Sequence, residues 1–195
     1  ILLCFDEMQA GFGRTGKKFG FEHYKVKPDL ICVGKGMGSG FPLAGVLGRK
    51  KILDIPETGS MSSTHSSNPI VCSAGSATID EIETKKLVNR SAKLGKLFHQ
   101  RLNKIKDKYP NQINFIHGKG LIAAVIFKDS KSKKPLIQLI NKICDICLKN
   151  KLLVVKTGRE SIKLGPPLII KKSNLLKGLD IFEKSIAISL NDNLN

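Results

Sequence analysis

Two stretches, Ile1-Leu2-Leu3-Cys4-Phe5-Asp6-Glu7 and Asp29-Leu30-Ile31-Cys32-Val33-Gly34-Lys35, share one build: a short apolar run that ends in a charged side chain. Continuous apolar runs of this length, bounded by turn formers, fit strands buried in an α/β sheet. In open α/β sheets ligands sit at the C-terminal ends of the strands, so Asp6 and Lys35 stand where chemistry is expected. Gly34 and Gly36 flank Lys35, and Met37 follows. That setting predicts an amine on a crowded floor, where desolvation favours the uncharged, nucleophilic form. Leu43–Gly48 is a third apolar run, between Pro42 and the basic Arg49-Lys50-Lys51. Thr64 falls 29 residues after Lys35, as Lys35 falls 29 after Asp6. It lies in a Ser/Thr/Gly-rich stretch, 58–67, that reads as loop. Asn68-Pro69 then opens a helix, with Asn68 as N-cap and Pro69 at the first helical position.

Two glycine patterns are decoys. Gly11-Phe12-Gly13-Arg14-Thr15-Gly16 spells G-x-G-x-x-G, but Glu7-Met8-Gln9-Ala10 separates it from the strand, and Asp29 begins the next strand instead of ending it. A dinucleotide fingerprint needs the opposite on both counts. Gly34-Lys35-Gly36-Met37-Gly38-Ser39-Gly40 lacks the order G-x-x-x-x-G-K-[ST] that a phosphate-cradling P-loop requires.

The 195 residues carry 33 Lys+Arg against 16 Asp+Glu, a formal charge of +17. The excess is lopsided: residues 1–80 hold 9 basic and 7 acidic side chains, which leaves 24 and 9 for residues 81–195. Only five of the basic residues are Arg, whereas bidentate phosphate recognition favours the guanidinium fork. This weakens a nucleic-acid reading. With 41% hydrophobic residues the chain can bury a core. No apolar run approaches the roughly 20 residues of a membrane span. Five cysteines in unrelated surroundings point to a reducing, cytoplasmic setting. Cys144 and Cys147 form a C-x-x-C, but they sit in a helical repeat with Leu136, Leu139, Ile140 and Ile143 and read as a buried, inert pair. The opening on a strand-like run without an initiator Met predicts that an N-terminal part of the protein is missing.

Beyond residue 80 the pattern predicts a helix over about 91–108, with Leu94, Leu97, Phe98, Leu102 and Ile105 inward and Lys93, Lys96, Arg101, Lys104 and Lys106 on a solvated face. Strands follow at about 113–116, 121–127, 152–156 and 161–164, with a helix over 136–148 and a last one capped by Ser173. The division expected is an α/β piece with its linking helix over 1–90 and a smaller α+β domain over 91–195.

Asp6-Glu7-Met8-Gln9-Ala10-Gly11-Phe12-Gly13-Arg14-Thr15-Gly16-Lys17 resembles the D-E-V-Q-x-G-x-G-R-T-G-x segment of class III (omega-amino acid) aminotransferases, fold-type I pyridoxal-phosphate enzymes such as 4-aminobutyrate aminotransferase. Pro28-Asp29-Leu30 followed by Gly34–Pro42 resembles that family's lysine segment. Thr64 before Asn68-Pro69 is similar to its T-x-x-G-N-P stretch, with His65 where an aromatic is usual and Ser67 in place of Gly. Gly118-Lys119-Gly120-Leu121 resembles its R-G-x-G-L turn.

The resemblance implies a fold-type I transferase, partial: the end of the large α/β domain plus the C-terminal α+β small domain. It implies pyridoxal 5'-phosphate as cofactor. Asp6 would pair with the ring nitrogen, Gln9 would bond the ring-hydroxyl side, and Lys35 would be the Schiff-base lysine and proton shuttle. Thr64 would hold the cofactor phosphate from the neighbouring subunit of a homodimer. Ile162-Lys163-Leu164-Gly165-Pro166-Pro167-Leu168 resembles R-x-x-P-P-L, whose Arg grips the substrate carboxylate; here Lys163 offers a point charge without a fork. The reaction implied is transamination of an omega-amino acid or related amine to a 2-oxo acid acceptor, with this fragment inactive alone. An aminomutase or a decarboxylating relative of the same fold is the alternative. A basic nucleic-acid-binding module over residues 81–195 and a decayed, non-catalytic homologue are the rivals.

Overall fold

The computed structural model describes residues 1–157 and 159–191 of the chain. These divide into two compact units, one from Ile1 to Arg90 and one from Ser91 onward.

The first unit is built on a three-stranded sheet of β1 (Cys4–Asp6), β2 (Leu30–Val33) and β3 (Gly45–Gly48), in that order. β1 and β2 run parallel, with Cys4 opposite Leu30, Phe5 opposite Ile31 and Asp6 opposite Cys32. β3 returns antiparallel, pairing Gly45 with Val33 and Gly48 with Leu30. The sheet is therefore mixed. The connection from β1 to β2 carries turns and a short 3₁₀ segment, Gly20–His23, in place of the usual crossover helix. A one-turn α1 (Lys50–Leu53) and a loop lead to α2 (Pro69–Thr84). Asn68 caps α2 as expected: its Oδ1 accepts from the N–H groups of Ile70 at 3.0 Å and Val71 at 3.4 Å. Helix α2 ends in a turn at Lys85 and Lys86, the latter at φ +51°, and α3 (Leu87–Lys108) starts at once, earlier than the spacing of its apolar residues suggests.

In the second unit a four-stranded antiparallel sheet has the order β4 (Ile113–Lys119), β5 (Ile122–Phe127), β7 (Ser161–Leu164), β6 (Val155–Lys156). Alternate residues of β5 and β7, among them Val125, Phe127 and Ile162, enter one core with Phe98, Leu102 and Ile105 of α3. α4 (Ile137–Lys149) adds Ile140, Ile143 and Cys147, and α5 (Lys172–Asn191) adds Leu175, Leu179, Phe182 and Ile186. The helices thus fill the sheet's core-facing side, and the unit is α+β.

Several expectations change. Ser173 does not cap the last helix, which begins at Lys172 with the Leu175 N–H already bonded to the Lys171 carbonyl. The predicted strand over 152–156 shrinks to two residues, Val155 and Lys156, because only these pair with β7, opposite Lys163 and Ile162. Arg101 is not part of a solvated face: its Nη2 lies 2.9 Å from Asp180 and 2.7 Å from Glu183 of α5. Burial pushes the Cys144 and Cys147 thiols up, as an inert pair requires. No helix among the described residues is long and apolar enough to cross a membrane.

Candidate active site

Parallel pairing puts the C-terminal ends of β1 and β2 on one edge of the sheet. Asp6 is the last residue of β1, in register with Cys32, and Lys35 follows Val33, the last residue of β2, by way of Gly34. Cys32 itself faces Cys4, Sγ to Sγ 3.8 Å; that contact, with burial and the nearby Asp6 charge, raises its thiol.

Asp6 is exposed, and its Oδ1 accepts from the Met8 N–H at 3.0 Å. Its Oδ2 accepts no hydrogen bond among the described residues and is free for a ligand. Gln9 follows in the same turn, half-buried. Lys35 opens a single 3₁₀ turn, Lys35–Met37, at φ +44°, an unusual conformation for a side chain with a Cβ. It is exposed, so the crowding expected around its amine falls elsewhere. The tight place is Gly34, where a Cβ would stand 2.6 Å from the Met8 sulfur and 3.4 Å from the Ala44 Cβ. Gly34 thereby lets the Lys35 turn and the turn after Asp6 close on each other.

The stretch Gly11–Gly16 winds through successive turns, with the Gly13 N–H bonded to the Lys18 carbonyl, and opens no helix that could receive a pyrophosphate. His23 Nε2 lies 3.1 Å from the hydroxyl of the buried Thr15, and Arg14 is half-buried, its guanidinium pushed down by burial. These residues shape the loop. An apolar hollow of about 380 Å³ beside β2 and α2 is lined by Phe12, Phe19, Val33, Met37, Leu47 and Ile82, apart from the strand-end polar groups.

Thr64 stands in the exposed loop before Asn68. Lys163 belongs to the second unit, half-buried on β7, with Ala124 and Val155 as its partners across the ladder. The structure therefore groups Asp6, Gln9 and Lys35 at one sheet edge, with Thr64 in the loop before α2 and Lys163 on a different sheet. Glu7 is a residue that sequence reasoning does not single out. Wholly buried, it accepts the backbone N–H groups of Gly20 and Phe21, each at 2.8 Å. Its only signal in the sequence is an acid directly after a strand, which a solvated turn residue would give equally.

A carboxylate with one free oxygen and a primary amine, held at adjacent strand ends, suit a ligand that presents a protonated ring nitrogen and an aldehyde. Comparisons with known proteins identify the family. The family described as aminotransferase class-III matches residues 1–186. A leucine/methionine racemase of Thermococcus litoralis is 40% identical over 189 residues, 96% of this chain and 42% of the racemase. A 4-aminobutyrate aminotransferase of Mycobacterium leprae is 34% identical over 186 residues, 94% of this chain and 42% of that protein. The solved ornithine aminotransferase of Toxoplasma gondii, reported with partial occupancy of pyridoxal phosphate at its active site, superposes with a TM-score of 0.88 at 28% identity and covers 100% of this chain and 45% of its own. The chain spans less than half the length of these relatives. It belongs to the class-III aminotransferase family, whose cofactor is pyridoxal phosphate.

Proposed function

We propose that the whole protein passes the amino group of an omega-amino acid or related amine to a 2-oxo acid such as 2-oxoglutarate or pyruvate, with Lys35 as the catalytic amine. The observation that carries this reading is the placement of Asp6 and Lys35 at the C-terminal ends of the paired strands β1 and β2. When bound, pyridoxal phosphate supplies an electron sink for the pair left as a substrate Cα proton departs. Asp6 would hold the ring nitrogen through its free oxygen and keep it protonated, and Gln9 would bond the ring-hydroxyl side. Lys35 would be the amine that holds the cofactor at its aldehyde carbon, and as a general base it would take the proton from substrate Cα.

Thr64 would reach the phosphate held by the neighbouring subunit of a homodimer, in keeping with its exposure. Lys163 attracts a substrate carboxylate as a single charge. By itself this chain, less than half as long as its relatives, is inactive. The protein works in the cytoplasm, which its five free cysteines favour, with neither nucleic acid nor membrane as partner.

A second reading, amino-acid racemisation, is favoured by the 40% identity to the Thermococcus litoralis racemase. It uses the same proton removal at Cα and differs in returning the proton to the opposite face, with no oxo product. Incubating the full-length protein with single enantiomers of amino donors and 2-oxoglutarate separates the two. Stoichiometric oxo product that disappears in Lys35→Ala supports transamination. The mirror-image donor without oxo product would replace it with racemisation, and undiminished turnover by Lys35→Ala would remove Lys35 from the mechanism.

A further inference from the structure

Glu7 is the most deeply buried acid of the first unit, 1% exposed, and among the described residues no cation pairs with it. Its charge is met by backbone alone. Oε2 accepts from the Gly20 N–H and Oε1 from the Phe21 N–H, both at 2.8 Å, so each oxygen has one donor at the start of the 3₁₀ segment Gly20–His23. The fit is tight: a Cβ on Gly20 would stand 3.2 Å from each carboxylate oxygen and 3.0 Å from the Ala10 Cβ, so the carboxylate would have to give way. The main chain of Glu7 is equally committed. Its N–H donates to the Cys32 carbonyl at 2.9 Å, continuing the β1–β2 ladder past Asp6, and its carbonyl accepts from the Gly11 N–H at 2.9 Å. Glu7 therefore ties separate pieces of chain to one point: the end of β2, the turn of residues 8–11, and the pair Gly20 and Phe21 that closes the loop.

Asp6 depends on that point. Its Oδ1 is held by the Met8 N–H at 3.0 Å, a donor inside the turn whose two ends Glu7 fixes. We infer that Glu7 is a positioning residue for Asp6: its buried carboxylate, by clamping Gly20 and Phe21, holds the turn that aims the free Asp6 oxygen at the cofactor's ring nitrogen. This rests on the reading of Asp6 proposed above. Glutamine at this position keeps the shape but replaces one acceptor by an N–H donor, so one of the two backbone N–H groups loses its partner in a buried place.

The test uses the full-length protein carrying Glu7→Gln, Asp6→Asn and both changes, with three readouts: amide hydrogen exchange of Gly20 and Phe21 without cofactor, the dissociation constant for pyridoxal phosphate, and the pH midpoint of the bound cofactor's visible absorbance. Glu7→Gln is expected to speed exchange by tenfold or more at the amide that loses its acceptor, weaken cofactor binding about tenfold and shift the absorbance midpoint. In the Asp6→Asn background it should still speed exchange but no longer move the midpoint, because its route to the cofactor is gone. A midpoint untouched by Glu7→Gln although Asp6→Asn moves it overturns the proposal alone, as does an equal shift in both backgrounds. A midpoint and affinity untouched by Asp6→Asn overturn the underlying reading of Asp6. Gly20→Ala, which crowds the same carboxylate without touching Asp6, answers the question in the same way should Glu7→Gln fail to fold.

Discussion

Arg101 of α3 and Glu183 of α5 meet at 2.7 Å, Nη2 to carboxylate oxygen, with side-chain exposures of only 28% and 17%. Lys108 takes the other Glu183 oxygen at 2.9 Å, and Arg101 also reaches Asp180. A residue whose helical position suggests open solvent is thus a cross-link between two helices over a common core, and partial burial gives it more weight than an ordinary surface pair.

Acid should weaken that link in a defined direction. The hydrogen bond from Lys108, and then that from Arg101, hold the Glu183 carboxyl below the usual range despite the upward push of burial. Such a group contributes stability that is fully present above its unfolded value, about 4.3, and lost as the pH falls through its lower folded value. Arg101→Ala is expected to cost about 1 kcal/mol at neutral pH and to flatten the acid limb of a stability profile measured by urea denaturation. A profile identical to the parent's would show that the cross-link contributes nothing.

Two helical glycines should respond in opposite ways to alanine. A Cβ at Gly95 would lie 2.5 Å from the Gly120 Cα and 2.7 Å from its carbonyl carbon, backbone that cannot move aside without disturbing the β4–β5 hairpin. Gly95→Ala is expected to destabilise by about 1–3 kcal/mol in spite of alanine's helix preference. At Gly178 the nearest neighbour is the flexible Leu152 Cδ1 at 3.4 Å, so Gly178→Ala should stabilise by up to about 1 kcal/mol. Thermal unfolding of the two variants side by side checks the contrast.

Asn68→Ala removes the acceptor for the Ile70 and Val71 N–H groups. A loss of about 1 kcal/mol is expected, with Asn68→Asp close to the parent. Faster amide exchange at Ile70 and Val71, confined to the first turn of α2, is the signature to look for. Uniform change along α2 would mean that the cap does more than close one end.

Lys163→Arg restores a forked donor on β7. It should lower KM for donors bearing an α-carboxylate severalfold and leave amines without a carboxylate unchanged, a comparison that steady-state kinetics on the full-length protein provides. Equal KM changes for both donor types would detach residue 163 from carboxylate recognition.

Asn68-Pro69, the strand ends at Asp6 and Lys35, and the strand Ser161–Leu164 are legible in the amino-acid sequence because each rests on a local signal: a cap, a run bounded by turn formers, an alternation. Glu7 and Arg101 are not. Both are charged side chains whose partners lie 13 and 79 residues away, and nothing in their own neighbourhood separates a buried, partnered charge from a solvated one. The exposure of Lys35 escapes the sequence for a related reason. Flanking glycines allow close approach, but which atoms approach is settled by Met8 and Ala44, and they crowd Gly34 instead of the amine.

The parallel pairing of β1 and β2 also bears on the order of folding. Their first cross-strand bonds join Leu3 and Asp29, a sequence separation of 26, with no crossover helix to bring the ends together. The clip between Glu7 and Gly20 spans a separation of 13. Formed first, it would leave a much shorter stretch to close before the strands can zip. Halving a loop saves only about 0.6 kcal/mol of closure entropy, roughly a threefold gain in rate at most. The early capture of one acid by two backbone amides would therefore matter less for speed than for register, since the slide that displaces Asp6 from Cys32 would first have to break that clip.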